Sequence, residues 1–179
     1  MARILCPANI WRALGGAGLP PARGRTTSVP GAVLGSWSLN SLPSELGELV
    51  IALNHRTHLT LVFRLQPIEG FRARFGHALE CALESLGISQ QSIVLELAAL
   101  DTASLVRNSN RVVTRSLHYI RDFCEIELSY HDDLHTIMMN LNDLPHPNRA
   151  PDYVPGIAVR SLFTEASSNS ASPRTSRAG

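Results

Sequence analysis

At 179 residues and 19.5 kDa the chain has the size of one domain and can bury a core without disulfide or metal staples. A hydrophobic share of 44% against 17% charged residues excludes an intrinsically disordered chain, and a net charge of +1 argues against a dedicated polyanion binder. No apolar run of about 18 residues occurs, so no membrane-spanning helix and no membrane association are expected.

In chain order, Arg3 to Cys6 reads as a strand that Pro7 breaks. Asn9 then caps a short helix through Leu14, and Gly15, Gly16 and Gly18 end it. Residues 1–44 hold Arg3, Arg12, Arg23 and Arg25 and no acid, a composition shared with transit peptides; a strand, a helix and a loop account for it more simply. Pro20 to Gly35 is rich in Pro, Gly, Ser and Thr and reads as an exposed loop. Ser36 to Leu39, around Trp37, is a further strand.

Residues 49–66 alternate with a period of two and predict a β-hairpin with one apolar face inward, closed by the polar loop Asn54-His55-Arg56-Thr57-His58. Phe71, Phe75, Leu79, Ala82, Leu83 and Leu86 share one face of a first long helix that ends at Gly87. Ser89 caps the next, which carries Ile93, Leu97 and Leu100, with Ile88 placed to staple onto Ile93. Residues 103–107 form a short strand. Val113, Leu117, Ile120, Cys124 and Leu128 mark a third helix. A fourth starts near Asp132 or Asp133, buries Leu134, Ile137, Met138 and Leu141, and is closed by Pro145 and Pro147. Strands followed by helices indicate an α+β domain over residues 1–163, an antiparallel sheet with a β-hairpin covered by about four helices. Thr164 to Gly179, almost free of apolar residues, is expected to be a disordered tail.

All sixteen basic residues are arginines, so every cation is a planar guanidinium suited to bidentate contacts. Cys6, Cys81 and Cys124 are odd in number and widely spaced, without a CxxC, which gives no zinc or thioredoxin motif and fits a reducing cytoplasm. Cys81 and Cys124 fall within apolar helical patterns and read as core residues.

Two stretches carry a resemblance. The hairpin Val50-Ile51-Ala52-Leu53-Asn54-His55-Arg56-Thr57-His58-Leu59-Thr60-Leu61-Val62-Phe63 is similar to a pattern close to LFVNERTLLPVVLP, and Asn110 to Ile120 is similar to NRSVLGSMNDF. Both patterns occur in a family of small uncharacterised bacterial proteins, which the chain resembles from about Arg3 to Phe163. Asn110, Arg111, Val113 and Ser116 match; Thr114 and Arg115 replace the usual Leu-Gly, and His118 and Tyr119 replace Asn-Asp. The resemblance implies the fold and a bacterial setting, and no mechanism.

Four constellations are candidates for function. Arg107, Arg111 and Arg115 are spaced by four and would line one face of a helix reaching back to 107, where a row of guanidinia can grip successive phosphates, with Asn110 and His118 adding hydrogen bonds. A solvated arginine row explains the same spacing. His131 and His135 have the spacing of a metal pair, but Asp132 or Asp133 is better read as a helix cap and no third ligand is evident, so no metal is expected. His55, Arg56 and His58 at the hairpin tip can hold an anion or touch a partner, against the simpler account of a solvated turn. Ile157 to Phe163, with Leu162 and Phe163 beside the tail, can dock in a groove of another protein or pack on the chain's own core.

There is no GxSxG, P-loop or GxGxxG, and no cofactor is expected. The leading expectation is therefore a non-catalytic bacterial cytoplasmic protein that binds another macromolecule, a protein rather than a nucleic acid. The alternative is an enzyme on a nucleic acid or other phosphate-bearing substrate, with Asn110 and Arg111 on the phosphate and His118 or His55 as acid or base.

Overall fold

The computed structural model describes residues 2–15, 29–107, 111–146, 149 and 152–171, excepting the side chains of 111–114 and 169–171. Its elements are β1 (Arg3–Cys6), α1 (Ala8–Ala13), β2 (Trp37–Ser44), β3 (Gly47–Asn54), β4 (Thr60–Arg64), α2 (Phe71–Ser85), α3 (Gln90–Asp101), β5 (Ser104–Arg107), α4 (Arg111–Leu128), α5 (Leu134–Asp143) and α6 (Pro155–Ala171). The fold is α+β, as expected. One five-stranded sheet has the order β4-β3-β2-β1-β5. The β2–β3–β4 meander is antiparallel, with Trp37 opposite Asn54 and Leu53 opposite Thr60. β1 pairs parallel to both β2 and β5, so the sheet is mixed. A tight hairpin cannot join parallel neighbours, and β1 is separated in the chain from both partners by longer stretches.

Both faces of the meander are buried, not one. The two residue parities of β3 are equally apolar: Val50 and Ala52 join Ile4, Trp37, Leu39, Leu61 and Phe63 on one side, while Leu49, Ile51 and Leu53 join Leu42 and Val62 on the other. A strand that buries both sides loses the apolar–polar alternation of a half-exposed one. On the first side Phe63, Phe71 and Phe75 pack with ring centroids 5.3–6.2 Å apart, and Trp37 meets Phe75 edge-on at 5.4 Å. On the second, Leu117, Ile120 and Cys124 of α4 and Ile137 and Leu141 of α5 form the lid. α5 also sends Met138 to the first side, so it wraps the β4 edge of the sheet.

At Thr60 that edge is closed by a side chain. Asn142 is fully buried; its Oδ1 accepts from the Thr60 N–H at 2.8 Å, and its Nδ2 donates to the Thr60 carbonyl at 2.7 Å and the Met138 carbonyl at 2.8 Å. The amide thus supplies the donor and acceptor that a sixth strand would bring to an otherwise open edge.

Several arginines are consumed by the fold. Arg72 donates to the carbonyls of Leu100, Asp101 and Ala103, holding the C-terminal end of α3 where unpaired carbonyls favour a cation. Arg74 donates to the carbonyls of Arg64, Leu65 and Pro67 after β4. Five fixed donors on one planar group make this multiple capture possible.

Helix ends agree with the sequence at Gly87, whose φ of 73° suits a residue without Cβ, and at Ser89, whose hydroxyl accepts from the Ser92 N–H. Asn9 does not cap α1. Pro7 holds the cap position and the Asn9 amide donates to Ser41 Oγ on β2 instead. At the other end α6 continues through Ala171, past the boundary expected at 163. Residues 172–179 lie outside the described residues, as do residues 16–28 with most of the expected loop. Among the described residues no helix is long and apolar enough to cross a membrane.

Candidate functional site

The hairpin tip is built by Asn54. Its Oδ1 accepts from the N–H groups of Arg56 and Thr57 and from the Thr57 hydroxyl, and its Nδ2 donates to the Leu34 carbonyl at 3.0 Å. This Asx turn buries Asn54 and Thr57 and leaves the neighbouring side chains to project from a rigid base. Asn54 and Thr57 are therefore structural, whereas the histidines between and after them face other partners.

His55 shares a hydrogen bond of 2.7 Å between its Nε2 and Ser38 Oγ on β2. Arg56 donates to the Val33 carbonyl at 3.0 Å and lies near the buried Glu96, so its cation serves the loop before β2. His58 has φ of 56°, a left-handed conformation uncommon outside glycine and asparagine. That backbone directs its ring against His146 in an edge-to-face contact, centroids 4.1 Å apart, with Tyr153 at 5.9 Å. Arg149 donates to His58 Nε2 at 3.3 Å and lies 5.4 Å from the centre of the Tyr153 ring. The Tyr153 hydroxyl reaches back to the Arg56 carbonyl, and the His146 N–H donates to the Tyr153 carbonyl, which ties His146 and Tyr153 to the hairpin. Tyr119 of α4 approaches His146 at 6.4 Å and packs on Phe123 at 4.6 Å.

A guanidinium can only donate, so His58 Nε2 is the acceptor and the neutral ring carries its proton on Nδ1. Nδ1 is buried and has no hydrogen-bond partner among the described residues. Burial first, then His146, Arg149 and His55, push His58 down to about 4, and burial with Arg149 lowers His146 as well. Burial lowers His55 and raises Tyr153. At neutral pH the tip thus holds neutral imidazoles, a protonated phenol and the fixed charge of Arg149, with which no carboxylate pairs among the described residues.

The remaining expected residues fall elsewhere. Asn110 lies outside the described residues, and Arg111 opens α4 with its side chain outside them. Arg115 and His118 are exposed on α4 and make no contact with the tip among the described residues; their neighbour Tyr119 does. Arg107 belongs to β5 and α4 begins at Arg111, so Arg107 does not share a helical face with Arg111 and Arg115. Leu162 and Phe163 are buried at 8% and 6% exposure in this chain's own core, which corrects their reading as a docking segment. α6 turns Val159, Leu162 and Phe163 inward together, and the apolar run serves that packing. His131 precedes α5 and pairs with Glu127 at 3.7 Å, while His135 meets Ser85 at 3.2 Å; Asp133 is the cap, accepting from His135 and Thr136. The two histidines therefore do not share a helical face.

Sequence reasoning misses His146, Arg149 and Tyr153. The signal that could have found them is a polar and aromatic stretch within a proline-rich connection between two helices, where loops place functional groups. Away from the tip, a concavity of about 250 Å³ lies between α2, α5 and β4, lined by Phe63, Ala78, Cys81, Leu134 and Met138, with His77 3.7 Å from the Cys81 sulfur. Burial and the nearby Glu84 and Glu80 raise the Cys81 thiol, so it is not an activated nucleophile.

No curated protein matches the chain. Residues 7–158, which contain the meander, the hairpin tip, α4 and the 146–153 segment, match an established family model, and the chain accordingly belongs to the family described as a domain of unknown function, DUF6933.

Proposed function

We propose that the protein binds a phosphate-bearing ligand at the hairpin tip, through Arg149 with His58 and His146 beside it. The observation that supports this reading is a guanidinium held over Tyr153 and against His58, without a carboxylate partner among the described residues. An arginine already oriented by an aromatic face and a neutral imidazole loses little freedom on gripping an anion. The buried His58 Nδ1 and the left-handed backbone that presents the ring mark a place where the fold accepts a local cost, as binding sites do. The setting we assign is a reducing bacterial cytoplasm, on the strength of three free cysteines and the family resemblance. The reading of a protein partner at Leu162 and Phe163 is set aside, because those side chains are spent in the core.

The test is titration of the full chain with inorganic phosphate, followed through the histidine ring proton resonances. The His58 and His146 signals are expected to move together and saturably. Arg149→Gln, which keeps much of the length of the side chain and removes the charge, is expected to weaken binding about 10- to 100-fold, the scale of one charge-assisted contact. Unmoved histidine resonances, or an Arg149→Gln variant that binds as well as the parent, would refute the assignment.

A further inference from the structure

We propose that this site selects a phosphate monoester over a diester by taking up one proton onto His58 as the dianion binds; the inference rests on the phosphate-binding reading above. In the free protein the Arg149 N–H donates to His58 Nε2 at 3.3 Å, so the two groups most suited to an anion face one another. A phosphate oxygen entering between them takes the Arg149 donor for itself. His58 Nε2 is then left with a lone pair against an anionic oxygen, which is repulsive until a proton from solvent occupies it. With that proton, Nε2–H donates to the phosphate and the ring becomes an imidazolium. Arg149 and His58 then supply two positive charges to a ligand with two negative ones. A diester has one negative charge, which Arg149 alone balances, and it gives His58 little reason to protonate.

The surroundings of His58 fit this balance. On its own hairpin it is faced by His55; from the 146–153 segment it meets His146, Arg149 and Tyr153; and α4 contributes Tyr119 through His146. None of these is a carboxylic acid. The α5 carboxylate of Asp143 lies by Gly156 instead. Burial first, and then His146, Arg149 and His55, keep the free ring deprotonated, and an arriving dianion sets a negative charge against the ring where Arg149 had set a positive one. The proton therefore enters with the ligand and not before it.

The experiment is calorimetric titration of the full chain with phenyl phosphate and with diphenyl phosphate at pH 7.5, each in two buffers of different ionisation enthalpy. Uptake of about one proton per phenyl phosphate is expected, with affinity about tenfold or more above the diester. His58→Asn, chosen because asparagine tolerates the left-handed backbone, is expected to abolish proton uptake and bring the two esters to similar affinity. Its circular dichroism and melting curve establish that it folds. Equal binding of both esters without proton uptake overturns the monoester inference and leaves phosphate binding standing, with a nucleic-acid backbone as the better ligand. Binding of neither ester overturns the phosphate-binding reading as well.

Discussion

Replacing Asn142 by leucine tests how the sheet edge is closed. The two side chains share one branched heavy-atom skeleton, so the substitution removes polar atoms without opening a large cavity. It deletes the partners of the Thr60 N–H and Thr60 carbonyl, both on a residue with no exposed surface. Each backbone group left unsatisfied in the interior costs about 1–3 kcal/mol. The added apolar contact returns part of this, so a net loss of about 2–4 kcal/mol is expected. Folded domains of this size have about 5–15 kcal/mol of stability, so the variant folds but is visibly weakened. Urea unfolding followed by tryptophan fluorescence measures it; with a slope of about 2 kcal/mol/M the midpoint falls by about 1–2 M. Asn140→Ala, whose amide meets Glu127 in a half-buried contact, serves as the control and is expected to cost well under half as much. A leucine variant within about 0.5 kcal/mol of the parent would refute the edge-closing role, since it would mean that Thr60 finds other partners at no cost.

Glu96 and the cysteines give two further predictions. Burial holds the Glu96 carboxyl above its ordinary 4.5, against the opposing effect of the Val33 and Leu34 N–H groups and of Arg56. The native state therefore binds this proton more tightly than the unfolded chain, so its contribution is greatest at acid pH and is lost as pH rises through the raised native value. Glu96→Gln removes the titration, and its stability relative to the parent is expected to improve as pH rises from 4 and to level off once the raised native value is passed, as read in urea melts; a difference that is flat throughout or slopes the other way contradicts the burial argument. Burial also pushes the Cys6 and Cys124 thiols up to about 12, whereas Cys81 is partly exposed. Iodoacetamide on the native chain at pH 8 is expected to label Cys81 first, with Cys6 and Cys124 reacting only in denaturant, as read by peptide mass spectrometry; comparable native labelling of Cys6 would show that the first strand is not packed as described.

Much of the architecture is legible in the amino-acid order, for local reasons. The two apolar runs flanking the polar 54–58 loop, the 3.6-residue stripes of α2 and α4, the serine before α3, the aspartate before α5 and Gly87 after α2 each report a backbone preference that acts within a few residues. The order of residues alone therefore determined most element types and the α+β class. Tertiary structure decided the rest. Whether β3 buries one face or two depends on α4 and α5 arriving on its far side, and whether β1 runs parallel depends on crossovers that no local pattern encodes. The same holds for polar residues: Asn142 is an ordinary helical asparagine until β4 lies beside it, and Leu162 and Phe163 are an exposed-looking apolar end until α6 folds back. The candidate site shows this most clearly. The hairpin tip is visible as His55, Arg56 and His58, but His146, Arg149 and Tyr153 stand about ninety residues away and acquire meaning only when the segment before α6 is laid against the hairpin. Sequence patterns record what a residue prefers for itself; which charges and rings meet is set by long-range packing, and that is where the chemistry of this protein is decided.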